Sequence, residues 1–403
     1  MKPLYPLAIL AALIGAPVLA DNAYQAPQNL VPPSAFKGVH GLAVDHKGRL
    51  LAGSVVSASM YQVDIESGEV TTFIGPPEGQ ADDIAIGPNG EMAWTGFYLG
   101  KVLYRENDDA PIRVLAEGLP GINSIAFNQD TGKLYASQVF LGDALWEIDV
   151  SGKTEPRSIG KDLGGFNGFE VGADGWLYGP LWFKGQVVKI NPDNGELQVV
   201  ADGFDTPAAV NFDSKGNLFA LDTKAGTLNR VDISTGETNV VATLDTSLDN
   251  LAIDRQDRIF VSNMADNSIE LVNPGSGETR VITKGELAVP AGLTMGEDGK
   301  TLYIADIFAF RAVDTDSGKV TDIRRAHGSD LEYPSAVSLG RGRFLLTSAS
   351  TGTLQVIDSS NHETTHMVHG LNAPSAAVEL KDGTVVVSEL GWSGVVERRH
   401  HLA

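Results

Sequence analysis

The chain has 403 residues, a formal net charge of −21 at pH 7 and no cysteine. The lack of cysteine excludes disulfides, thiolate metal sites and cysteine nucleophiles. The negative charge, which no basic patch interrupts, repels phosphate groups and predicts that nucleic acid is not a partner. The acidity favours solubility, and a second interpretation is an affinity for divalent cations.

The first twenty residues have the pattern of a secretory signal. Met1 and Lys2 precede an apolar run from Leu7 to Leu19, and a small-residue site ending at Ala20 precedes Asp21. The run is short for a bilayer span, so we predict a cleaved signal peptide over residues 1–20, with an uncleaved membrane anchor as the alternative. No other segment is predicted to span a membrane. The mature protein is therefore expected to be exported, to a bacterial periplasm or beyond.

From about residue 38 onwards the sequence repeats nine times with a period near 42. Each copy holds four short runs, which we call strands A to D, with alternating polarity and turns rich in Asp, Asn and Gly. The first apolar position of strand A recurs at Leu42, Ile84, Ile125, Phe169, Val210, Leu251, Leu293, Val337 and Ala377. The pattern predicts an all-β chain with a single closed β-propeller over residues 21–403. Nine blades are expected, and eight are the alternative.

The two ends of the chain suggest how such a ring would close. The ninth copy ends after its third strand, near Val395 to Arg398, whereas Gln28 to Val31 precede the first copy where a fourth strand lies elsewhere. We predict that this N-terminal segment completes the last blade, since closure removes exposed strand edges.

The residue just before each strand A is expected to face the mouth of the central channel. These residues are His40, Asp82, Asn123, Asn167, Ala208, Asp249, Ala291, Ser335 and Ser375. Five of them are potential ligands, and converging carboxylate and amide oxygens suit a hard cation such as calcium. The alternative is that Asn and Asp at this position cap turns through hydrogen bonds to the backbone.

Large aromatic residues recur between strands B and C, on the same predicted face. They are Trp94, Phe97, Tyr98, Phe140, Trp182, Phe183, Phe308, Phe310 and Trp392. Aromatic residues beside a polar ring predict a pocket for a small molecule. The alternative is that they pack one blade against the next.

Two segments, Asn167 to Tyr178 and Asp249 to Phe260, resemble blade motifs of the gluconolactonase/regucalcin-like family and of its paraoxonase and strictosidine-synthase-like relatives. The resemblance implies a propeller whose channel holds a divalent metal, usually calcium, that activates ester, lactone or phosphotriester bonds for hydrolysis. Carried over by position, Asn123, Asn167 and Asp249 match the metal ligands of the family. Asn250 resembles the second residue of the Asp-Asn pair in paraoxonases.

This chain departs from the family pattern at two points. His40 stands where the family has a glutamate, and Asp82 would then supply the missing carboxylate. The family also has six blades rather than nine.

The resemblance leads to two functional hypotheses. In the first, calcium held by Asn123, Asn167, Asp249 and Asp82 polarises a small ester or lactone, Asp249 or Asp82 attacks or activates water, and His40 titrates near neutral pH. Asn250 and the aromatic residues would contact the substrate. In the second, the propeller binds a small molecule or a protein partner through the same face without catalysis.

The segment from His362 to His366 matches a zinc-protease pattern that requires a helix. The repeat instead places it in the turn before strand D and in that strand, where residues four apart are about 13 Å from each other. We therefore do not expect a zinc site there.

Overall fold

The computed structural model describes residues 28–326, 335–349, 351–361, 363–390 and 396–401, and these ranges form strands and turns without a helix. The strands assemble into nine antiparallel sheets, one for each sequence repeat. Eight sheets have four strands and the last has three. Within these ranges no helix is long and apolar enough to cross a membrane. The expected signal peptide at 1–20 and Trp392 lie outside the described residues.

The first three sheets contain strands β1 to β12. Sheet 1 consists of β1 (Leu42–Val44), β2 (Leu50–Ser54), β3 (Ser59–Val63) and β4 (Val70–Ile74). Sheet 2 consists of β5 (Ile84–Ile86), β6 (Met92–Gly96), β7 (Lys101–Arg105) and β8 (Arg113–Ala116). Sheet 3 consists of β9 (Ile122–Phe127), β10 (Leu134–Gln138), β11 (Ala144–Ile148) and β12 (Arg157–Lys161).

The next three sheets contain strands β13 to β24. Sheet 4 consists of β13 (Glu170–Val171), β14 (Leu177–Leu181), β15 (Gln186–Ile190) and β16 (Leu197–Ala201). Sheet 5 consists of β17 (Pro207–Phe212), β18 (Leu218–Asp222), β19 (Thr227–Val231) and β20 (Thr238–Thr243). Sheet 6 consists of β21 (Leu248–Ile253), β22 (Ile259–Asn263), β23 (Ser268–Val272) and β24 (Thr279–Thr283).

The last three sheets contain strands β25 to β35. Sheet 7 consists of β25 (Gly292–Met295), β26 (Thr301–Ala305), β27 (Ala309–Asp314) and β28 (Val320–Arg325). Sheet 8 consists of β29 (Ser335–Gly340), β30 (Arg343–Ser348), β31 (Thr353–Asp358) and β32 (Thr364–Val368). Sheet 9 consists of β33 (Pro374–Glu379), β34 (Thr384–Glu389) and β35 (Val396–His401).

Alternation of side chains gives each sheet two apolar faces. In sheet 6, Leu251 pairs with Val261 and Ala252 pairs with Phe260 across β21 and β22. Leu251 and Val261 pack against sheet 5, whereas Ala252 and Phe260 pack against sheet 1. Neighbouring residues therefore serve opposite junctions, as the period of two requires.

Six apolar clusters join the first six sheets in a circle. Sheets 1 and 2, 2 and 3, 3 and 4, 4 and 5, and 5 and 6 each share one cluster. The sixth cluster joins sheet 6 back to sheet 1 through Leu42, Ala252 and Phe260. The sheets therefore do not form the nine-membered ring predicted from the repeat, nor the eight-membered alternative. We call sheets 1 to 6 the ring.

The predicted closure by an N-terminal strand is also not found. Residues 28–31 form no strand, and the described part of sheet 9 has three strands. The carbonyl of Leu30 instead lies against Gly318 of sheet 7, so near that a Cβ on Gly318 would be 2.3 Å from the oxygen. Because sheet 1 already packs against sheet 6, the N-terminal segment has no adjoining sheet 9 to complete.

Sheets 7 to 9, which we call the cap, stack on one another, and sheet 7 lies on the mouth of the ring. Tyr303 and Phe344 pack sheet 7 against sheet 8 with ring centroids 4.1 Å apart. Phe308 of the cap shares a cluster with Trp182 and Met264 of the ring. The mouth is thus covered by the part of the chain that the ring excludes.

Buried polar contacts fix the cap to the ring. The Arg311 guanidinium is 1% exposed, pairs with Asp306 and donates to the Ala265 carbonyl at 2.6 Å. Arg325 forms a bidentate pair with Asp266, at 2.6 and 3.0 Å. Planar two-point pairing of this kind fixes orientation as well as distance.

A prediction concerns Asn267, which ties three segments together at the junction of sheets 6 and 1. It accepts from Gly38 N at 2.7 Å and donates to the carbonyls of Phe36 and Leu287, each at 3.0 Å. Its φ of 46° lies in the left-handed region, so Asn267→Gly keeps the backbone and removes only the side chain. We expect unfolding in urea to show a loss of about 2–4 kcal/mol, because buried backbone groups lose their partners.

Asn273→Gly, in an exposed turn of the same sheet, is the control for this prediction. Its loss is expected to be within about 1 kcal/mol. Equal losses in the two variants would show that Asn267 does not hold the junction.

Candidate functional site

His40 lies between two carboxylates at the mouth of the ring. Its Nδ1 is 3.2 Å from Asp249 Oδ2 and 3.5 Å from Asp82 Oδ1. The side chain is largely buried, and its ring meets Phe308 edge-on with centroids 5.4 Å apart. Carboxylates beside Nδ1 favour the tautomer with the proton on that nitrogen, so in the neutral ring Nε2 is the atom that can accept a proton.

Backbone contacts fix the position of this histidine. His40 N donates to the Gly53 carbonyl at 2.9 Å within sheet 1. The His40 carbonyl accepts from Ser262 Oγ of sheet 6 at 2.7 Å. The same junction that closes the ring therefore sets the distance between His40 and Asp249.

The five potential ligands predicted from the repeat meet in one cavity. His40, Asp82, Asn123, Asn167 and Asp249 all line it. Ala208, at the same repeat position in sheet 5, is buried in the cluster that holds the cap. The corresponding residues of sheets 7 to 9 belong to the cap.

Ser124 links the two asparagines. Its hydroxyl lies 2.8 Å from Asn123 Oδ1 and 2.9 Å from Asn167 Oδ1. Asn167 Oδ1 also accepts from Gly168 N at 3.0 Å, which fixes the orientation of the amide, because a backbone N–H can only donate. Ser124 has a single hydroxyl proton, so it donates to only one of the two amide oxygens at a time. The bond from Gly168 N still orients Asn167 so that it offers a ligand its N–H groups.

The rest of the cavity wall is apolar, and Phe308 of the cap forms part of it. The cavity volume is ≈ 50 Å³, enough for a few water molecules. Phe140 forms the centre of an aromatic row, with ring centroids 6.4 Å from Phe97 and 5.3 Å from Trp182. The apolar side chains that line the cavity are Val55, Val56, Phe97, Phe140, Trp182, Met264 and Phe308.

Other residues predicted for the pocket lie elsewhere. Trp94 is buried between sheets 1 and 2, and its Nε1 donates to the Glu78 carbonyl at 2.7 Å. Phe183 is 59% exposed and packs on the outer side of Phe140. Tyr98 contacts Phe97 beside the cavity, at a second groove.

Asn250 does not line the cavity either. It points along the channel away from the mouth, where its Nδ2 donates to Asp83 Oδ1 at 3.0 Å. Sequence reasoning missed Val55, Val56 and Met264 as wall residues. These three residues lie in the turn after strand B, as the aromatic residues do. Their position in the repeat, rather than their residue type, would therefore have identified them as wall residues.

The zinc-protease pattern is not on a helix. His366 lies in β32, in the predicted strand, and His362 lies outside the described residues. Within the described ranges, no group of three or more His, Cys, Asp and Glu side chains is arranged to hold a metal ion. Any metal at the mouth would therefore need the asparagines among its ligands.

The donor set at the mouth agrees in charge with a cation. Two carboxylates, Asp82 and Asp249, face one cavity, and no lysine or arginine is among the described residues lining it. His40 supplies at most one positive charge. The two carboxylates and two amides thus suit a hard divalent ion, provided that the amide oxygens exchange their present partners.

Two carboxyl groups lie toward the other end of the channel. Asp83 accepts from Ile84 N at 2.9 Å, from Ile125 N at 3.1 Å and from Asn250. Burial raises the pKa of Asp83 to about 7, against the opposing effect of these hydrogen bonds. Burial likewise raises the pKa of Glu170 to about 7, although Glu170 accepts from Phe212 N at 2.6 Å.

Residues 165–308 match the family described as "SMP-30/Gluconolactonase/LRE-like region". The match confirms the predicted resemblance over a part of the chain that includes Asn167 and Asp249. Among solved structures, "Streptogramin B lyase structure" is similar with a TM-score of 0.50 and 16% identity, covering 69% of this chain and 93% of that chain. This likeness to a β-propeller supports the propeller fold.

A second solved structure, "Crystal structure of Nidogen/Laminin Complex", has a TM-score of 0.33 and 14% identity, covering 60% of this chain and 91% of that chain. That likeness is too low to bear on fold or function. No curated protein matches the chain.

The raised pKa of Glu170 predicts how stability depends on pH. The folded protein keeps a proton on this group up to pH about 7, whereas the unfolded chain loses it near 4.5. Stability is therefore expected to fall as pH rises between these values, by up to about 1.4 kcal/mol per pH unit. In Glu170→Gln, which can still accept from Phe212 N, the slope of unfolding free energy against pH should be shallower.

Glu155→Gln, at an exposed site, is the control and should leave the slope unchanged. Asp83 contributes in the same direction, so part of the slope should remain in Glu170→Gln. A variant slope identical to that of the wild type would contradict the assignment.

Proposed function

We propose that the protein is an exported hydrolase of the lactonase or esterase type that acts on a small molecule at the mouth cavity. The observation that carries the proposal is the largely buried His40, oriented by two carboxylates in a cavity whose remaining wall is mostly apolar. The family match over residues 165–308, which include Asn167 and Asp249, supports the same class of chemistry.

His40 would act as the general base. Nε2 is buried from solvent, so this role requires that the attacking water enter beside it with the substrate. With Nδ1–H directed at Asp249 and Asp82, Nε2 would then take a proton from that water. The carboxylates then stabilise the imidazolium, as in other pairs of histidine and aspartate. The apolar wall limits the number of competing water molecules and strengthens these electrostatic interactions.

Asn123 and Asn167 would bind the reacting carbonyl. Gly168 N engages the Asn167 oxygen, which leaves the Asn167 N–H groups for an oxygen of the substrate. Asn123 can add its own N–H groups when its oxygen accepts the single Ser124 proton. Donors held in place before the reaction can stabilise the negative charge that develops on that oxygen. Mutation of such a donor in other enzymes costs about two to three orders of magnitude in rate.

We further propose that the mouth binds calcium or another divalent cation through Asp82 and Asp249, with the amide oxygens of Asn123 and Asn167 as neutral ligands once they exchange their present partners. The ion, rather than the amide N–H groups, would then bind the reacting oxygen. When bound, the ion would supply Lewis-acid polarisation of the carbonyl or phosphoryl oxygen. The aspartates then hold the ion as well as orienting His40, and the excess negative charge of the cavity is balanced.

The catalytic proposal predicts the effect of His40→Asn. The amide can keep a donor near Asp249, but it cannot act as a base, so kcat should fall by about 10²–10⁴-fold with little change in melting temperature. The measurement is hydrolysis of a panel of small lactones and esters, with and without calcium. His46→Asn, at an exposed turn, should retain full activity.

Two results would count against this proposal. If the wild type hydrolyses none of the panel, but binds its members in the cavity, the propeller is a binding protein. If His40→Asn is as active as the wild type, another group is the base.

The metal proposal predicts a shift in thermal stability. A cation present at about 100 times its Kd stabilises the folded state by about 2.7 kcal/mol. Added calcium should raise the melting temperature relative to EDTA in the wild type and in the exposed control Asp316→Asn. The shift should disappear in the Asp82→Asn/Asp249→Asn double variant, and no shift in the wild type would contradict calcium binding.

A further inference from the structure

We propose that a groove between the ring and the cap binds an apolar chain of the substrate. The inference rests on the proposed hydrolysis and deepens it, because it assigns the substrate to lactones or esters that carry a linear alkyl or acyl substituent. The groove lies beside the mouth cavity and has a volume of ≈ 280 Å³.

The groove has one wall from each part of the molecule. Val55, Val56 and Tyr98 come from the ring, whereas Ile307 and Ala349 come from the cap. Both parts contribute mainly apolar surface, and no charged side chain is among the described residues lining the groove. Without the cap, the side of the groove formed by Val55, Val56 and Tyr98 would face solvent. The groove therefore exists only because the cap packs beside these residues.

The groove adjoins the mouth cavity. Val55 and Val56 line both spaces. A carbonyl group held near His40 would therefore direct its substituent past these two valines into the groove. Val56 and Tyr98 remain 37% and 46% exposed, so apolar surface there is still available for burial.

The ring wall is fixed by a buried amide. Gln80 is 6% exposed, and its Oε1 accepts from Tyr98 N at 2.9 Å and from Leu99 N at 3.1 Å. Its Nε2 donates to the Val55 carbonyl at 3.3 Å. These bonds satisfy the polar groups of both ring turns, and the surface left to a ligand is apolar.

The cap wall is held in an unusual conformation. Ile307 has a φ of 44°, which is rare for a β-branched residue and is found where surrounding contacts impose it. The neighbouring Asp306 is fully buried and accepts from Ala288 N at 2.9 Å and from Val289 N at 2.6 Å. Asp306 therefore anchors the turn that presents Ile307 to the groove and Phe308 to the cavity.

The test uses γ-lactones with unbranched side chains from methyl to octyl. Burial of each methylene should raise kcat/KM by up to about four-fold, mainly through KM, until the chain outgrows the groove. Ala349→Trp fills the groove from the cap side, at a residue that does not line the mouth cavity with His40. It should abolish the gain with chain length and leave the rate for the methyl lactone unchanged.

Ala225→Trp is the matched control, because Ala225 is exposed in the equivalent turn of sheet 5 and lines neither space. It should behave as the wild type across the series. Chain-length dependence that persists unchanged in Ala349→Trp, or that is absent in the wild type, would overturn the proposal.

Binding of the corresponding alkyl γ-lactams, measured by calorimetry, separates this proposal from the catalytic one. Lactams resist hydrolysis, so the measurement needs no turnover. Affinity that rises with chain length in the wild type but not in Ala349→Trp would support the subsite even if no lactone were hydrolysed, in which case only the proposed activity fails. Hydrolysis of the lactones with lactam affinity independent of chain length would overturn the subsite alone.

Discussion

The contact between sheet 6 and sheet 1 determines the rest of the structure. Leu42 packs with Ala252 and Phe260 across this junction, and Ser262 Oγ donates to the His40 carbonyl at 2.7 Å. The contact brings Asp249 of sheet 6 within 3.2 Å of His40 of sheet 1. It also keeps the channel narrow, since Asn250 of sheet 6 reaches Asp83 of sheet 2 at 3.0 Å. The ring and its polar centre are therefore consequences of one apolar junction.

The same junction gives sheets 7 to 9 a different role. Since sheet 1 already packs against sheet 6, the last three repeats form a separate stack of sheets. Sheet 7 of this stack lies on the mouth, where Phe308 lines the cavity beside His40. The buried Arg311 and the pair formed by Arg325 and Asp266 hold them in place. The last three repeats have the same sequence pattern as the ring blades but form the cap beside the site. The groove lies between the cap and the ring.

Sequence periodicity predicts the strands, their order within each sheet and the five polar residues at the mouth, because each of these depends on position within one repeat. It does not predict where the ring closes. At four of the six junctions, including the one between sheets 6 and 1, the residue after the first apolar position of one strand A shares a cluster with the first apolar residue of the neighbouring strand A, as Ala43 does with Ile84. The pattern therefore does not distinguish sheet 9 from sheet 6 as the neighbour of sheet 1. Asn250 was assigned to the pocket because it resembles the second residue of the Asp-Asn pair in paraoxonases. It points into the channel instead, because neighbouring side chains alternate in direction along a strand and Asp249 already faces the mouth.

A direct test of ring closure uses spin labels at equivalent positions, which the lack of native cysteine makes simple. Lys47, Gln256 and Lys381 lie exposed in the turns between the first two strands of sheets 1, 6 and 9. Labels on Lys47→Cys and Gln256→Cys should show the short distance expected of adjacent sheets, about 10 Å apart. Labels on Lys47→Cys and Lys381→Cys should be much farther apart. A long distance for the first pair and a short one for the second would contradict a six-sheet ring covered by a three-sheet cap.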